Sequence, residues 1–236
     1  MPRRPRPRSK PDLIRSRDNE RLKLVRKLRD RSWRDKLGLF VVEGEDLVEA
    51  AAGVEPVELL VAGENVEPEL LAAVSELAHP PRVIAVYRRE DLPRGTRPTT
   101  LALWHVSDPG NVGTLLRAAD AFRVGVALSA GCADPTGAKA LRASMGAVFR
   151  VPVSGFDEPA GRRIALVPRG GVPLADVDLD GDVVFVLGAE RDGLPEDVLA
   201  SCDALATIPL AGDAESLNVA MAGTVALYER ARRAST

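Results

Sequence analysis

Apolar residues fall into short runs separated by amphipathic stretches, a pattern that predicts strands alternating with helices. In the first part of the chain, the predicted strands are 39–42, 57–61 and 83–86, and the predicted helices are 18–37, 46–52 and 68–78. In the second part, the predicted strands are 101–106, 125–129, 149–153, 164–167 and 183–187, and the predicted helices are 112–122, 136–144 and 216 to about 233. Apolar strands separated by helices imply a mostly parallel sheet covered on both faces, so the predicted fold class is α/β.

Residues 92–100 (LPRGTRPTT) interrupt this pattern, because Pro, Thr and Gly dominate them and a single residue is apolar. That composition is typical of a linker. We therefore predict a small α/β domain at residues 12–92, a linker at 93–100 and a larger α/β domain at 101–236. Residues 1–11 (MPRRPRPRSKP) are rich in Pro and Arg and predict a disordered basic arm.

The composition is that of a globular protein, with 45% apolar and 28% charged residues. No apolar run approaches the roughly 20 residues of a membrane-spanning helix, and the charged first residues lack the apolar stretch of a signal peptide. Cys132 and Cys202 are too few for a disulfide framework, and with His79 and His105 as the only histidines we expect no metal site. The expectation is a reduced cytoplasmic protein.

The charge distribution is more informative than the net charge of −2. Residues 1–37 hold 15 Lys and Arg against 5 Asp and Glu, whereas the remainder holds 17 basic and 29 acidic residues. This asymmetry favours an anionic polymer that meets the N-terminal part of the chain, although a solvated helix face with a basic tail explains it as well. Charge alone does not distinguish RNA from DNA or an acidic protein.

Three segments of the second part carry candidate chemistry, and segment 1 is residues 108–122 (DPGNVGTLLRAADAF). It follows a strand and opens a helix, so backbone N–H groups and the positive helix end face outward beside the strand's carboxyl end. Asn111 can cap that helix, and Arg117 can point to either of its faces. The segment lacks the spacing of a dinucleotide fingerprint and the Lys-Ser/Thr of a P-loop, which argues against both.

Segment 2 is residues 183–195 (VVFVLGAERDGLP), a predicted buried strand that ends at Gly188, where the missing side chain lets a ligand approach the backbone. Glu190 follows at the carboxyl end of this strand, where ligands of open α/β sheets bind. Segment 3 is residues 208–222 (IPLAGDAESLNVAMA), in which Ser216 is the predicted N-cap and Asn218 falls in the first helical turn. Each segment, taken singly, is typical of a capped helix or a turn.

Together, in this order, the three segments resemble the motifs of the SpoU/TrmH family of RNA ribose 2′-O-methyltransferases, within the SPOUT superfamily. The resemblance covers residues of about 101–233, and residues 139–152 (KALRASMGAVFRVP) support it. More weakly, residues 19–49 resemble the small substrate-binding domain that many members carry, which is similar to an RNA-binding ribosomal-protein fold.

The resemblance implies a trefoil-knotted domain that binds S-adenosylmethionine (AdoMet) and methylates a ribose 2′-hydroxyl. The cofactor-binding positions it implies are Leu187, Gly188, Ile208, Leu210 and Leu217. The catalytic positions it implies are Arg117, Asn111, Glu190, Ser216 and Asn218. One departure is visible, because Ala220 replaces a serine that many members have at this position.

The resemblance also implies a homodimer through the knotted domain, an RNA substrate and a reaction without metal. The small domain favours ribosomal RNA, most specifically 23S rRNA, over transfer RNA. A non-catalytic RNA-binding or ribosome assembly factor on the same fold is the alternative from another class. The intact polar residues of the three segments argue against that alternative.

Overall fold

Two β-sheets organise the computed structural model, which describes residues 13–212 and 215–234. The predicted basic arm at residues 1–11 lies outside the described residues. The first sheet is antiparallel in the order β1-β3-β2, with strands β1 (Leu39–Glu43), β2 (Glu58–Val61) and β3 (Val83–Arg88). Its helices are α1 (Glu20–Lys27), α2 (Arg31–Leu37), α3 (Glu45–Ala50) and α4 (Pro68–Val74). The apolar sides of α1 and α4 pack on this sheet and form the core of the small domain.

The single helix predicted over residues 18–37 is wrong, because the chain forms two helices, α1 and α2. Asp30 is extended, with ψ of 133°, and starts the second helix as its N-cap. The guanidinium of Arg34 donates hydrogen bonds to the carbonyl oxygens of Leu28 and Arg29, at 3.0 and 2.6 Å. A side chain therefore satisfies carbonyl groups that a continuous helix would have satisfied with backbone N–H groups.

The second sheet has seven parallel strands in the order β6-β5-β4-β9-β7-β10-β8. The strands are β4 (Thr99–Leu103), β5 (Gly125–Leu128), β6 (Val153–Gly155), β7 (Arg162–Leu166), β8 (Val172–Pro173), β9 (Val183–Leu187) and β10 (Ala204–Thr207). The helices are α5 (Pro109–Ala121), α6 (Ala138–Ser144), α7 (Glu196–Ala200) and α8 (Val219–Ala234). Short 3₁₀ turns occur at Arg89–Asp91, Ala147–Phe149 and Leu174–Asp176.

Both faces of this sheet are covered, as the apolar strands predict. Leu101 and Phe185 point into a large core with α5 and α8, whereas Ala102 and Val184 point to the other face. Side chains alternate across a strand, so neighbouring residues serve opposite cores. Among residues 13–212 and 215–234, no helix combines the length and apolar character needed to cross a membrane.

The predicted strand at 149–153 is displaced, because residues up to Phe149 form a 3₁₀ turn and β6 begins only at Val153. Val153 also contacts the stretch predicted as a linker, donating its N–H to the Pro93 carbonyl and accepting from the Gly95 N–H. Two backbone hydrogen bonds therefore hold residues 93–95 of the predicted linker against the first residue of β6.

A mixed apolar and ionic contact joins the small domain to the large one. Phe149 of the large domain packs against Phe40 and Tyr87 of the small domain, with ring centroids 5.9 and 5.2 Å apart. Beside these rings, the Asp134 carboxylate accepts from Arg34 at 2.8 Å and from Arg89 at 2.6 Å. The side chains of Arg34 and Asp134 are each only 8% exposed, so this ion pair is shielded from solvent.

Burial raises the pKa of Asp134, but its hydrogen bonds from Thr136 and Arg34 and the nearby Arg89 charge outweigh burial and lower the pKa below its ordinary value. Asp134 therefore stabilises the fold above the pKa of an unfolded aspartate. That contribution is lost as the pH falls through the lowered pKa of the folded protein.

We predict that Asp134→Asn lowers the free energy of unfolding at pH 7 by about 3 kcal/mol, because it leaves the buried Arg34 guanidinium without its anion. Arg89 loses one of its two carboxylate partners and keeps Asp35. Urea denaturation measures the difference, which should shrink at about pH 3, where an unfolded aspartate is protonated. Asp120→Asn is the matched control, since Asp120 pairs with the more exposed Arg150 and should cost less than about 1 kcal/mol. Equal losses in the two variants would contradict the role given to Asp134.

Candidate active site

Segments 1, 2 and 3 converge at one edge of the large sheet. Segment 1 follows β4, segment 2 contains and continues β9, and segment 3 follows β10. Since β4 and β9 are parallel neighbours, the loops that follow them leave the sheet side by side. The parallel pairing therefore brings together residues that lie far apart in the sequence.

A hydrogen-bonded network takes one side chain from each segment. The Asn111 amide nitrogen donates to Glu190 Oε1 at 2.9 Å, and the Asn218 amide nitrogen donates to Asn111 Oδ1 at 3.0 Å. Glu190 also accepts from the backbone N–H groups of Ser107 and Asp108, at 3.4 and 3.2 Å. Three of the five predicted catalytic residues thus contact one another in the order Glu190, Asn111, Asn218.

The carboxylate of Glu190 is stabilised in its charged form. Burial raises the pKa of Glu190, but the hydrogen bonds from Asn111 and from the backbone of Asp108 and Ser107 outweigh burial and lower the pKa below its ordinary value. An ionised Glu190 is an acceptor only, so it fixes the Asn111 amide with nitrogen towards Glu190 and oxygen towards Asn218.

Two of the predicted helix caps are wrong, and the network explains why. Asp108, rather than Asn111, caps α5, accepting from the N–H groups of Gly110 and Asn111 at 2.7 and 3.1 Å. This leaves the Asn111 side chain free to contact Glu190. Likewise α8 begins at Val219 and its first N–H groups are bound by the Asn218 oxygen, so Asn218, rather than Ser216, is the cap.

Asp108 is a site residue that the sequence reasoning missed. Its second oxygen accepts from Lys139 at 2.7 Å, and this hydrogen bond is the main reason why the pKa of Asp108 lies below its ordinary value. The signal was present, since an aspartate directly before a proline is a common start of a helix.

A cavity of about 430 Å³ lies on the segment 2 and segment 3 side of the network. Its volume falls within the range of about 300–1,000 Å³ common for small-molecule sites. All five predicted cofactor-binding residues line it, as do three of the predicted catalytic ones: Leu187, Gly188, Ile208, Leu210, Leu217, Glu190, Ser216 and Asn218. Residues 166–168, at the carboxyl end of β7, also line it and were not predicted, although β7 is a direct neighbour of β9.

The glycine at the end of β9 is required by the protein's own backbone as well as by any ligand. A Cβ at Gly188 would lie 2.3 Å from the carbonyl carbon of Gly193, because the chain folds back between them. Ala189 and Gly193 exchange two backbone hydrogen bonds of 3.0 Å, and Gly193 has a positive φ of 67°. The tight turn at residues 189–193 therefore forms one wall of the cavity.

Arg117 is the predicted site residue that neither lines the cavity nor joins the hydrogen-bonded network. It lies on α5 six residues beyond Asn111, which is about 9 Å along the helix axis. Its side chain is exposed, and within the described residues it has neither a hydrogen bond nor an ion pair.

A second groove of about 770 Å³ lies across the 189–193 turn from the cavity and is lined by residues including Ser107 and Arg191.

The fold and site define an α/β protein with a cavity at the carboxyl ends of parallel strands. Comparison of the sequence with family models identifies the family. The SpoU rRNA Methylase family model matches residues 98–228, and an MRM3-like substrate binding domain model matches residues 19–90. The chain belongs to the SpoU rRNA methylase family.

Individual relatives agree with this assignment. The 23S rRNA (guanosine(2553)-2′-O)-methyltransferase RlmP of Bacillus subtilis is 31% identical over 241 residues, covering 91% of this chain and 97% of RlmP. An uncharacterized tRNA/rRNA methyltransferase of Synechocystis is 38% identical over 144 residues, which cover 56% of this chain. The chain spans about half of that relative's length, with 53% covered. The AdoMet-bound structure of an rRNA methyltransferase from Sinorhizobium meliloti is 28% identical, with a TM-score of 0.83, covering 95% of this chain and 99% of that one.

Proposed function

We propose that this protein transfers a methyl group from AdoMet to a ribose 2′-hydroxyl of RNA, with 23S rRNA as the substrate. The observation that carries the proposal is the cavity lined by all five predicted cofactor residues beside the Glu190–Asn111–Asn218 network. Two relatives support the chemistry, since RlmP is named a 23S rRNA 2′-O-methyltransferase and the S. meliloti protein was crystallised with AdoMet.

The cavity suits AdoMet chemically. Ile208, Leu210 and Leu217 supply apolar side chains that can enclose the faces of an adenine ring, while the backbone around Gly188 supplies hydrogen-bonding groups for its edge. Bound AdoMet supplies an electrophilic methyl group on a sulfonium. The polar network and Ser216 lie at the same cavity and can orient the ribose, so that its oxygen meets the methyl group in line.

Arg117 is the proposed residue for the chemical step. A guanidinium stays protonated in proteins, so its direct contribution is to stabilise the charge that develops on the 2′-oxygen and to hold an RNA phosphate. The alternative role as a base requires an RNA phosphate that helps to remove its proton. Its side chain is exposed and has no partner in the part of the chain that the structure describes, so it is available for either contact.

A homodimer would cover an apolar surface on α8, the helix that packs against the α5 that carries Arg117. Met221, Val225 and Tyr228 are 59%, 38% and 59% exposed and recur at helical spacing on α8. Helices α5 and α8 pack side by side on one face of the sheet, so their exposed sides form one surface, on which Arg117 lies. Contiguous apolar residues on such a surface are typical of protein–protein contacts. We infer that a second copy packs here, close to Arg117.

The remaining expectations complete the proposal. Residues 12–92 form the substrate-binding domain, 93–100 the connection and 101–236 the catalytic domain, which is folded as a trefoil knot. The protein acts in the cytoplasm and needs no metal. Ribosomal RNA is favoured over transfer RNA, because the family model that matches residues 98–228 is named for rRNA methylases and the name of RlmP specifies 23S rRNA.

The direct test is transfer of a labelled methyl group from AdoMet onto purified ribosomal RNA and onto purified transfer RNA, followed by mapping of the modified nucleotide. We expect label in 23S rRNA at a 2′-oxygen. Label in transfer RNA alone would refute the substrate. If the folded protein bound no AdoMet in calorimetry, the methyltransferase would be excluded in favour of a non-catalytic RNA-binding factor.

We predict that Arg117→Ala abolishes methyl transfer, lowering kcat by at least about 100-fold, as the loss of a charge-stabilising group does in other enzymes. Affinity for AdoMet should stay nearly unchanged, because Arg117 does not line the cavity. Single-turnover transfer and calorimetry measure the two effects. Arg123→Ala is the matched control. Arg123 is also an exposed arginine, but it follows the C-terminal end of α5, whereas Asn111 and the network lie at the N-terminal end. Full turnover by Arg117→Ala would remove Arg117 from the chemistry.

For the dimer, we predict that Tyr228→Asp raises the dimer dissociation constant by at least about tenfold, because it places a charge in a desolvated contact. Sedimentation equilibrium measures the shift. Leu59→Asp serves as the control, because Leu59 is 39% exposed but lies on β2 of the small domain. A wild-type protein that stays monomeric at micromolar concentration, or a Tyr228→Asp protein that dimerises normally, would contradict the proposed interface.

A further inference from the structure

The tryptophan of the small domain is partly exposed and lies outside every hydrophobic cluster of the described residues. Trp33 stands on α2 and belongs neither to the core of the small domain nor to the aromatic contact between the domains. The exposed part of a tryptophan ring offers a large flat apolar surface on which another ring can stack. The neighbours of Trp33 indicate which kind of ligand supplies that ring.

Two lysines flank the ring. The Lys27 and Lys36 ammonium groups lie 5.2 and 4.9 Å from the centroid of the Trp33 ring. Both lysines are exposed, and cation–π contacts at exposed positions contribute only about 0.5–1 kcal/mol. An incoming group can therefore displace either ammonium from the ring at little cost.

Unlike most cations of the same region, these lysines have no carboxylate within ion-pair distance among residues 13–212 and 215–234. Residues 13–37 contain ten Lys and Arg, and six of them form ion pairs with carboxylates within the described residues: Arg15, Arg21, Lys23, Arg29, Arg31 and Arg34. Arg26 donates to the carbonyl of Arg17. Within the described residues, four of the ten cations thus have no ion pair, namely Arg17, Arg26, Lys27 and Lys36, and two of these four lie beside Trp33.

The position of this cluster points towards the active-site edge. Helix α2 contacts the loop that follows β5, through Arg31 to the Cys132 carbonyl and through Arg34 to Asp134. Strand β5 is the parallel neighbour of β4, and segment 1 leaves from the same end of β4. A polymer bound at Trp33 can thus continue along the surface to the candidate active site.

We propose that Trp33, Lys27 and Lys36 form a binding site for single-stranded RNA, in which an unpaired base stacks on the Trp33 ring and the two ammonium groups meet the adjoining phosphates. This inference deepens the proposed function, since it places part of the RNA substrate on the small domain. Stacking on an aromatic ring does not depend on base identity, and lysine recognises phosphate through charge. The combination favours an unpaired strand over a duplex, whose bases are already stacked.

Direct binding tests the site without any need for catalysis. The probes are an oligoadenylate of about 12 nucleotides, within the known range of single-strand sites, and an RNA duplex of equal total charge. We expect the oligoadenylate to quench tryptophan fluorescence in the wild type, and Trp33→Phe to remove that quench while largely retaining affinity. Trp33→Ala should weaken oligoadenylate binding about 5- to 150-fold, as expected for the loss of one stacked base, and change duplex binding much less.

The lysines are tested through the salt dependence of binding. The slope of log K against log salt is negative, and removing two phosphate contacts from a single strand should make it less negative by about 1.4 in the Lys27→Gln, Lys36→Gln double variant. Lys23→Gln is the matched control, because Lys23 lies on the same α1 but is paired with Glu20 at 2.9 Å. Its slope should change less than half as much.

Separate outcomes overturn this site and the proposed function. Trp33→Ala protein that binds oligoadenylate like the wild type, or that loses single-strand and duplex affinity equally, would refute base stacking. A salt slope that is unchanged in the double lysine variant would refute the phosphate contacts. Either result can occur while the wild type still methylates ribosomal RNA, and absence of methyl transfer would instead refute the proposed function.

Discussion

The hydrogen bonds of one amide, Asn111, hold the candidate site together. The carbonyl oxygen of this side chain accepts from Asn218 and its nitrogen donates to Glu190, so three separate segments meet at one group. The arrangement requires Glu190 to be charged, Asp108 to cap α5 in place of Asn111, and Asn218 to stand at the start of α8. The parallel order of β4 and β9 places segments 1 and 2 side by side, so that Asn111 and Glu190 can meet.

Much of the large sheet could be predicted from apolar runs. Strand β9 has the predicted bounds, and it is apolar throughout because both of its faces are buried. Strand β10 was missed, since its four residues, Ala204–Thr207, form a run too short and too weakly apolar to distinguish from a loop. The break between α1 and α2 was missed for another reason: it depends on Arg34, whose guanidinium is held by Asp134 from the other domain. No local pattern contains that information.

The candidate site shows the same division between local and distant causes. Asn111, Ser216 and Asn218 all have side chains that can cap a helix, and only their tertiary partners decide which of them does so. The apolar positions around the cavity could be named only because the three segments resemble the motifs of a known family. Taken alone, Ile208 and Leu217 are indistinguishable from core residues. Arg117 was likewise implied by the resemblance, since its own segment left both faces of the helix open, and its separation from the cavity appears only in three dimensions.

The contact between the domains bears on the RNA that the proposed function requires. Phe149 packs against both Phe40 and Tyr87, and Asp134 binds arginines from two elements of the small domain, so several separate contacts hold the two domains together. With this contact intact, the distance from the small domain to the cavity is set by the protein. Under the proposed function, an RNA would then be selected by whether its own fold spans that distance.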